Sequence, residues 1–226
     1  TGDYAPSLRS PWRAAIEFDI DGVETKFPLG GFPRVVTKIE ELASGAENVL
    51  KLHAGDAITG TLFYTLFRGE ADAEMMNQVC FDAFALGNHE FDSGDAGLVE
   101  FLDFLKRGGC NTPVLGANVV PEVGVSPLTP TSPTDYIQPY TIADVNGERI
   151  GIIGIVIAQK TKVSSNPDET TEFLDETETA QRYIDELTAQ GVDKIVLLTH
   201  HQYTNDLAMV PNLRGVDVIV GGDSHS

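Results

Sequence analysis

A chain of 226 residues with 42% hydrophobic side chains is long enough to bury one substantial core, and no apolar run in it approaches the length of a membrane span. Its 34 acidic residues against 15 basic ones leave a net charge of −19, which argues against nucleic-acid backbones and anionic membranes as general partners, because both need lysine and arginine to neutralise them. With the basic residues scattered, a phosphate-handling site here would call on a bound metal for its positive charge.

The opening stretch TGDYAPSLRSPW offers no obvious first strand and no charged-then-apolar signal peptide. Asp19-Ile20-Asp21-Gly22 resembles the start of a calcium loop, but the ligand pattern that should follow is missing, so a surface turn is expected. Three helix-to-strand units come next: VVTKIEELA into NVLKLHAGD, ADAEMMNQV into DAFALGNHE, and GLVEFLDFLKRG into TPVLGANVV. Residues 121–139, rich in Pro, Ser and Thr, read as a surface loop. YTIADV and ERIGIIGIV, joined at Asn146-Gly147, read as an antiparallel hairpin, since Asn-Gly suits a two-residue type I′ turn. ETETAQRYIDELTAQG then leads into DKIVLLTHHQ, and LAMVPNLRG into VDVIVGGDSHS. This alternation predicts an α/β fold with two sheets, or one mixed sheet, flanked by helices. Both ends of the chain read as cut.

Ligands in open α/β sheets bind beyond the carboxyl ends of the strands, so what the strand ends carry is informative. One ends in His53-Ala54-Gly55-Asp56, another in Gly87-Asn88-His89, a third in Thr199-His200-His201 and the last in Gly221-Gly222-Asp223-Ser224-His225. All five histidines fall in these four places. Singly, each residue is ordinary: an Asp after a strand caps or turns, and a lone His forms a surface hydrogen bond. Together they supply oxygen and imidazole ligands suited to Mn²⁺, Mg²⁺, Zn²⁺ or Fe, with no thiolate among them.

HAGD, GNHEFD, LTHH and GGDSH, in that order, resemble the sequence blocks of the calcineurin-like metallophosphoesterases, and specifically of the 5′-nucleotidase branch. The resemblance runs from about Gly30 onward and implies a four-layer α/β/β/α catalytic domain over residues 1–226, usually exported to the periplasm or outside the cell, and followed in the intact protein by a nucleoside-binding C-terminal domain. It implies two divalent ions: Asp56 bridging them, Asn88 and His200 on the second, Asp223 in a place where the family more often has histidine, and His225 on the first. His89 would be the catalytic imidazole, oriented by Asp92. His201 is expected to point to the other face of the strand, either behind the ligands without binding metal or toward solvent, and His53 to pack or hydrogen-bond locally. The family's first block, an Asp-x-His, is missing before Gly30, so residues 1–29 are atypical and the isolated chain is expected to be catalytically incompetent.

The implied reaction is hydrolysis of nucleoside 5′-monophosphates. The alternatives are a nucleotide-sugar or dinucleotide pyrophosphatase, a sulfur-ester hydrolase on the same site, or a non-catalytic protein with an incomplete site. Cys80 and Cys110 each precede a strand. If those strands are parallel neighbours about 4.8 Å apart, the two cysteines come within disulfide range, and an exported protein would oxidise them. Two separate buried thiols are the other outcome.

Overall fold

The computed structural model describes residues 15–28, 31–60 and 62–225. Two sheets stack at its centre. The first has the order β3–β4–β5, from Leu52–His53, Ala83–Ala85 and Val114–Leu115, all parallel. In the second, β10 (Lys194–His200) lies between β11 (Val218–Gly221) and β8 (Glu148–Val156), parallel to both, and β7 (Tyr140–Val145) pairs antiparallel on the far edge of β8. The Asn146–Gly147 turn closes this hairpin with positive φ at both residues, 54° and 84°, as a type I′ turn requires.

Helices cover both outer faces. On the first sheet lie α1 (Phe32–Ser44), α3 (Glu70–Val79) and α4 (Gly94–Arg107), and their apolar faces form a core with Phe84 and Leu86. Leu98, Phe101, Leu102 and Leu105 of α4 recur at helical spacing and are fully or almost fully buried, which is why periodicity alone locates this helix. Pro33 suits the first turn of α1, where a missing N–H costs nothing. On the second sheet lie α6 (Glu176–Ala189), capped by the Asp175 carboxylate on Glu178 N–H at 2.9 Å, and α7 (Tyr203–Met209). Between the sheets Ala83, Ala85, Leu115, Ile152 and Leu198 form the inner core. The sheets approach so closely there that a Cβ on Gly154 would strike Leu115. The arrangement is the expected four-layer α/β/β/α sandwich.

Several elements differ from expectation. Residues before the first helix form a hairpin, β1 (Ala15–Ile20) and β2 (Val23–Pro28), whose turn is the Asp19–Gly22 segment, with Gly22 N–H donating to Asp19 Oδ1 at 2.7 Å. Two short helices also went unpredicted, α2 (Leu62–Phe67) and α5 (Ala158–Ser164). TPVLGANVV is two strands rather than one. After Leu115 the N–H groups of Gly116 and Ala117 turn to Gln138 O and Gly154 O, and β6 (Val119–Pro121) leaves to pair antiparallel with β9 (Thr171–Phe173). Residues 121–139 are a loop but not a purely surface one: Ser126, Leu128, Thr129 and Ile137 are buried. The cause is Asp95 on α4, a buried carboxylate that accepts from the Ser126 and Thr171 hydroxyls, both at 2.5 Å. The segment TGDYAPSLRSPW lies outside the described residues.

Candidate metal centre

Each strand end places its polar residue by a specific backbone device. After β3 the chain turns at Gly55 and Asp56, both left-handed, with φ of 91° and 55°. After β4 it passes Gly87, where a Cβ would collide with the Asp56 carboxylate, and enters a 3₁₀ turn at His89–Phe91. His200 is the last residue of β10, and Asp223, φ 68°, follows β11.

These turns bring Asp56, His200 and Asp223 together, all buried, with one ligand atom from each within 4.8 Å of the others. His200 Nε2 lies 3.0 Å from Asp56 Oδ2 and 3.5 Å from Asp223 Oδ1. Its other nitrogen, Nδ1, is 2.7 Å from the Ala54 carbonyl oxygen, which can only accept, so Nδ1 carries a proton and Nε2 is left facing the two carboxylates. Nε2, Asp223 Oδ2 and Asn88 Oδ1 are all buried without a hydrogen-bond partner. Buried polar atoms are normally satisfied, and unpartnered atoms on His200 and Asp223, beside the Asp56 carboxylate, mark a site that wants a positive charge.

The electrostatics agree. Burial alone would suppress charge on His200, yet Asp223 and Asp56 beside it drive its pKa up to about 10. Burial likewise acts to raise both carboxylates, but His200 overrides it and holds Asp56 and Asp223 below the usual range, with Lys160 helping at Asp223. A divalent cation fits this donor set of imidazole nitrogen and carboxylate oxygens, and the Nδ1–carbonyl bond is how a ligating histidine is usually oriented.

Beside the cluster stands the His89–Asp92 pair, Nδ1 to Oδ2 at 2.7 Å, partly exposed. Burial opposes charge on His89, but the Asp92 bond and the fields of Asp56, Asp92 and Glu90 raise its pKa above the ordinary value. His89 N–H donates to Asp56 Oδ1 at 2.9 Å, which locks this turn to the other ligand loop.

Four contributors were not anticipated from sequence. Glu90 is completely buried and accepts from the N–H groups of Asp56, Ala57 and Gly87 at 2.9, 2.6 and 2.5 Å, so one carboxylate pins both loops. Burial, with the Asp56 charge nearby, pushes its pKa up to about 7 against the His200 charge and the Gly87 and Asp56 donors. Ser165 Oγ meets Asn88 Nδ2 at 3.4 Å, turning the amide so that its oxygen is the orphaned atom. Asn166 ties the same turn through Phe91 O and Asp92 O, at 3.1 and 3.0 Å. Lys160 donates to Asp223 Oδ1. The carboxylate and amide of GNHEFD were in plain view, but their partners are supplied by distant segments.

The remaining histidines separate. His225 is exposed and stands outside the Asp56–His200–Asp223 group. His201 is buried rather than solvent-facing, between Glu176 and Asp206, with Nε2 and Nδ1 at 3.6 and 3.4 Å from their carboxylates. His53 does pack locally, edge-on to Phe81 and Phe84, and accepts from Gly55 N–H at 3.2 Å. Burial holds its pKa down to about 4.

Comparison with known proteins points the same way. The family described as calcineurin-like phosphoesterase matches residues 28–226. A probable 5′-nucleotidase of Treponema pallidum is 43% identical over 210 residues, 93% of this chain and 34% of that protein. An NAD 5′-nucleotidase of Haemophilus influenzae is 44% identical over 207 residues, 92% of this chain and 32% of that protein. The solved structure of the Haemophilus influenzae NAD nucleotidase superposes with a TM-score of 0.82 at 43% identity, covering 93% of this chain and 40% of that one. The chain thus spans about a third of the length of the curated relatives it matches.

Proposed function

The chain belongs to the calcineurin-like phosphoesterase family, and we propose that it is the catalytic domain of a hydrolase that cleaves nucleoside 5′-monophosphates to nucleoside and phosphate with two divalent cations. The observation that carries this reading is the buried cluster of Asp56, His200 and Asp223, in which His200 Nε2 and Asp223 Oδ2 have no hydrogen-bond partner.

Asp56, Asn88, His200 and Asp223 would hold one cation, and Asp56 with His225 would contribute to the other. Cations held there would supply polarisation of the phosphoryl group and a water made nucleophilic at neutral pH. The chain's own residues do the rest. Glu90 fixes the two ligand loops against each other. Asp92 holds the proton of His89 on Nδ1 and keeps the imidazole basic, so that a second proton on Nε2 is available to the departing alkoxide. Asn166 keeps that pair in register by fixing the backbone at Phe91 and Asp92.

Cys80 and Cys110 are joined in a disulfide, with Cα atoms 5.2 Å apart. The bridge favours a periplasmic or extracellular setting. The domain is assigned to residues 1–226, with nucleoside recognition supplied by a further domain of the kind the longer relatives have room for.

Turnover of AMP by the complete gene product tests the reading. Activity that vanishes on chelation and returns with Mn²⁺ or Zn²⁺ is expected. Absence of bound metal and of metal-dependent turnover would overturn it. The relative described as an NAD 5′-nucleotidase favours a second substrate, a dinucleotide cleaved at its pyrophosphate, and parallel assays on NAD and AMP separate the two.

A further inference from the structure

Lys160 sits on α5, directly after β8, whose Val156 is paired in register with His200. Its ammonium donates to Asp223 Oδ1, the same oxygen that lies 3.5 Å from His200 Nε2. The Asp223 side chain is fully buried, whereas that of Lys160 is 32% exposed, so the lysine reaches in from the solvent side. The next lysine on the helix, Lys162, is turned elsewhere, donating to Phe173 O at 3.0 Å.

We propose that Lys160 is a substrate-binding residue that contacts the phosphoryl oxygens, released for that task when a divalent cation takes Asp223 Oδ1. This rests on the hydrolase reading above. An ammonium and a divalent cation want the same carboxylate oxygen and repel each other, and the doubly charged ion takes it. Lysine carries its charge on a flexible four-carbon stem, and this one is already part-exposed, so displacement moves the ammonium toward the mouth of the site rather than deeper into it. A phosphate dianion arriving there meets a point charge suited to it. An ammonium in this position therefore weakens cation binding and strengthens anion binding. A lysine that only braced Asp223 would help both.

Those opposite signs are the test, made on the complete gene product loaded with Mn²⁺. Lys160→Met should bind Mn²⁺ as tightly as wild type or several-fold more tightly, bind inorganic phosphate about tenfold or more weakly by calorimetry, and show a raised KM for AMP. Lys160→Arg, which keeps the charge, should retain phosphate binding within a few-fold. Lys160→Gln serves as a second uncharged variant if the methionine chain does not fold. Unchanged phosphate affinity in the uncharged variants overturns the inference alone, as does a parallel loss of Mn²⁺ and phosphate binding. Wild-type protein that binds neither Mn²⁺ nor phosphate overturns the hydrolase reading and this inference with it.

Discussion

The two rims of the stacked sheets carry similar residues and use them in opposite ways. At the amino ends of the strands, Asp82 accepts Lys51 N–H at 2.7 Å and Asp217 accepts Ile195 N–H at 2.8 Å, while Cys80 and Cys110 are covalently joined. Every one of these groups has a partner that stabilises the fold. At the carboxyl ends, Asp56 and Asp223 stand in left-handed backbone and crowd one imidazole, with orphaned atoms among them. Both rims hold left-handed non-glycine backbone, Cys80 at φ 51° included, and unpartnered buried polar atoms at on the order of 1–3 kcal/mol each. At the amino rim these atoms are the neutral amide of Asn77, and at the carboxyl rim they sit on His200 and Asp223. One rim ties the sandwich together, and the other gathers the groups proposed to hold a cation.

If that contrast is right, substitutions at the carboxyl rim should damage function and spare the fold. The largest effect is expected for Asp56→Ala, since this carboxylate faces His200 and also receives the His89 N–H. Groups one step removed from a metal are worth 10–100-fold in affinity, so loss of a ligand should exceed about a hundredfold, and turnover should fall with it. Without metal the variant should remain folded, melting somewhat below metal-free wild type because His200 and the His89 N–H lose their partner. A metal-free Asp56→Ala that is grossly unfolded would show that this rim carries stability after all.

His89→Asn is expected to lower kcat by about 10²–10⁴-fold, the range for a positioned proton donor. Its metal content should be unchanged, because the imidazole is paired with Asp92 rather than with the ligand cluster. Metal loss in parallel with kcat would assign His89 to the ligands instead.

The same contrast explains what could be read from sequence. The long helices were legible because Leu98, Phe101, Leu102 and Leu105 repeat at 3.6-residue spacing, and the hairpin at Asn146–Gly147 because its turn chemistry is local. α2 was not, because Leu62, Leu66 and Phe67 are exposed and LFYTLF has neither a polar face nor a strand's alternation. The candidate ligands Asp56, Asn88, His200 and Asp223 could be named because they end strands or follow them directly. Glu90, Lys160, Ser165 and Asn166 could not, since each acts through a partner that only tertiary structure supplies: Glu90 through backbone N–H groups 34 and 33 residues away, Ser165 through an amide 77 residues away. The loop at 121–139 misled for a similar reason, its hydroxyls having a buried carboxylate to serve.

On the amino rim the expectation reverses. Replacing Cys80 and Cys110 by serine opens a link across 30 residues of sequence, and chain-entropy arguments put the loss at about 3–4 kcal/mol. Below the lowered melting temperature, metal affinity and KM should stay at wild-type values. A shift in metal affinity at temperatures where the variant is fully folded would mean that the two rims are coupled through the sheet.

Asp72 on α3 gives the smallest and sharpest prediction, because it is a buried orphan outside the ligand cluster. It is 2% exposed, and its Oδ2 has no hydrogen-bond partner. Burial raises its pKa from 3.8 to about 6, against the opposing effect of its own backbone N–H. The folded protein thus holds this proton more tightly than the unfolded chain does. The stabilisation is complete below about pH 4 and is lost as the pH rises through about 6, beyond which an ionised carboxylate is buried without a donor for Oδ2. A rise of roughly two units corresponds to about 3 kcal/mol at most. Asn in its place is neutral at every pH, so Asp72→Asn should be more stable than wild type by about 2 kcal/mol at pH 8 and nearly equal to it at pH 4. Comparing the two proteins by urea unfolding at both pH values cancels every other titrating group. The same variant should leave Mn²⁺ affinity alone, since a stability gain with no functional cost is what separates an incidental orphan from those at the carboxyl rim. An equal stability difference at the two pH values would show that Asp72 is already ionised and partnered in the fold, and a drop in Mn²⁺ affinity would show that it belongs to the site.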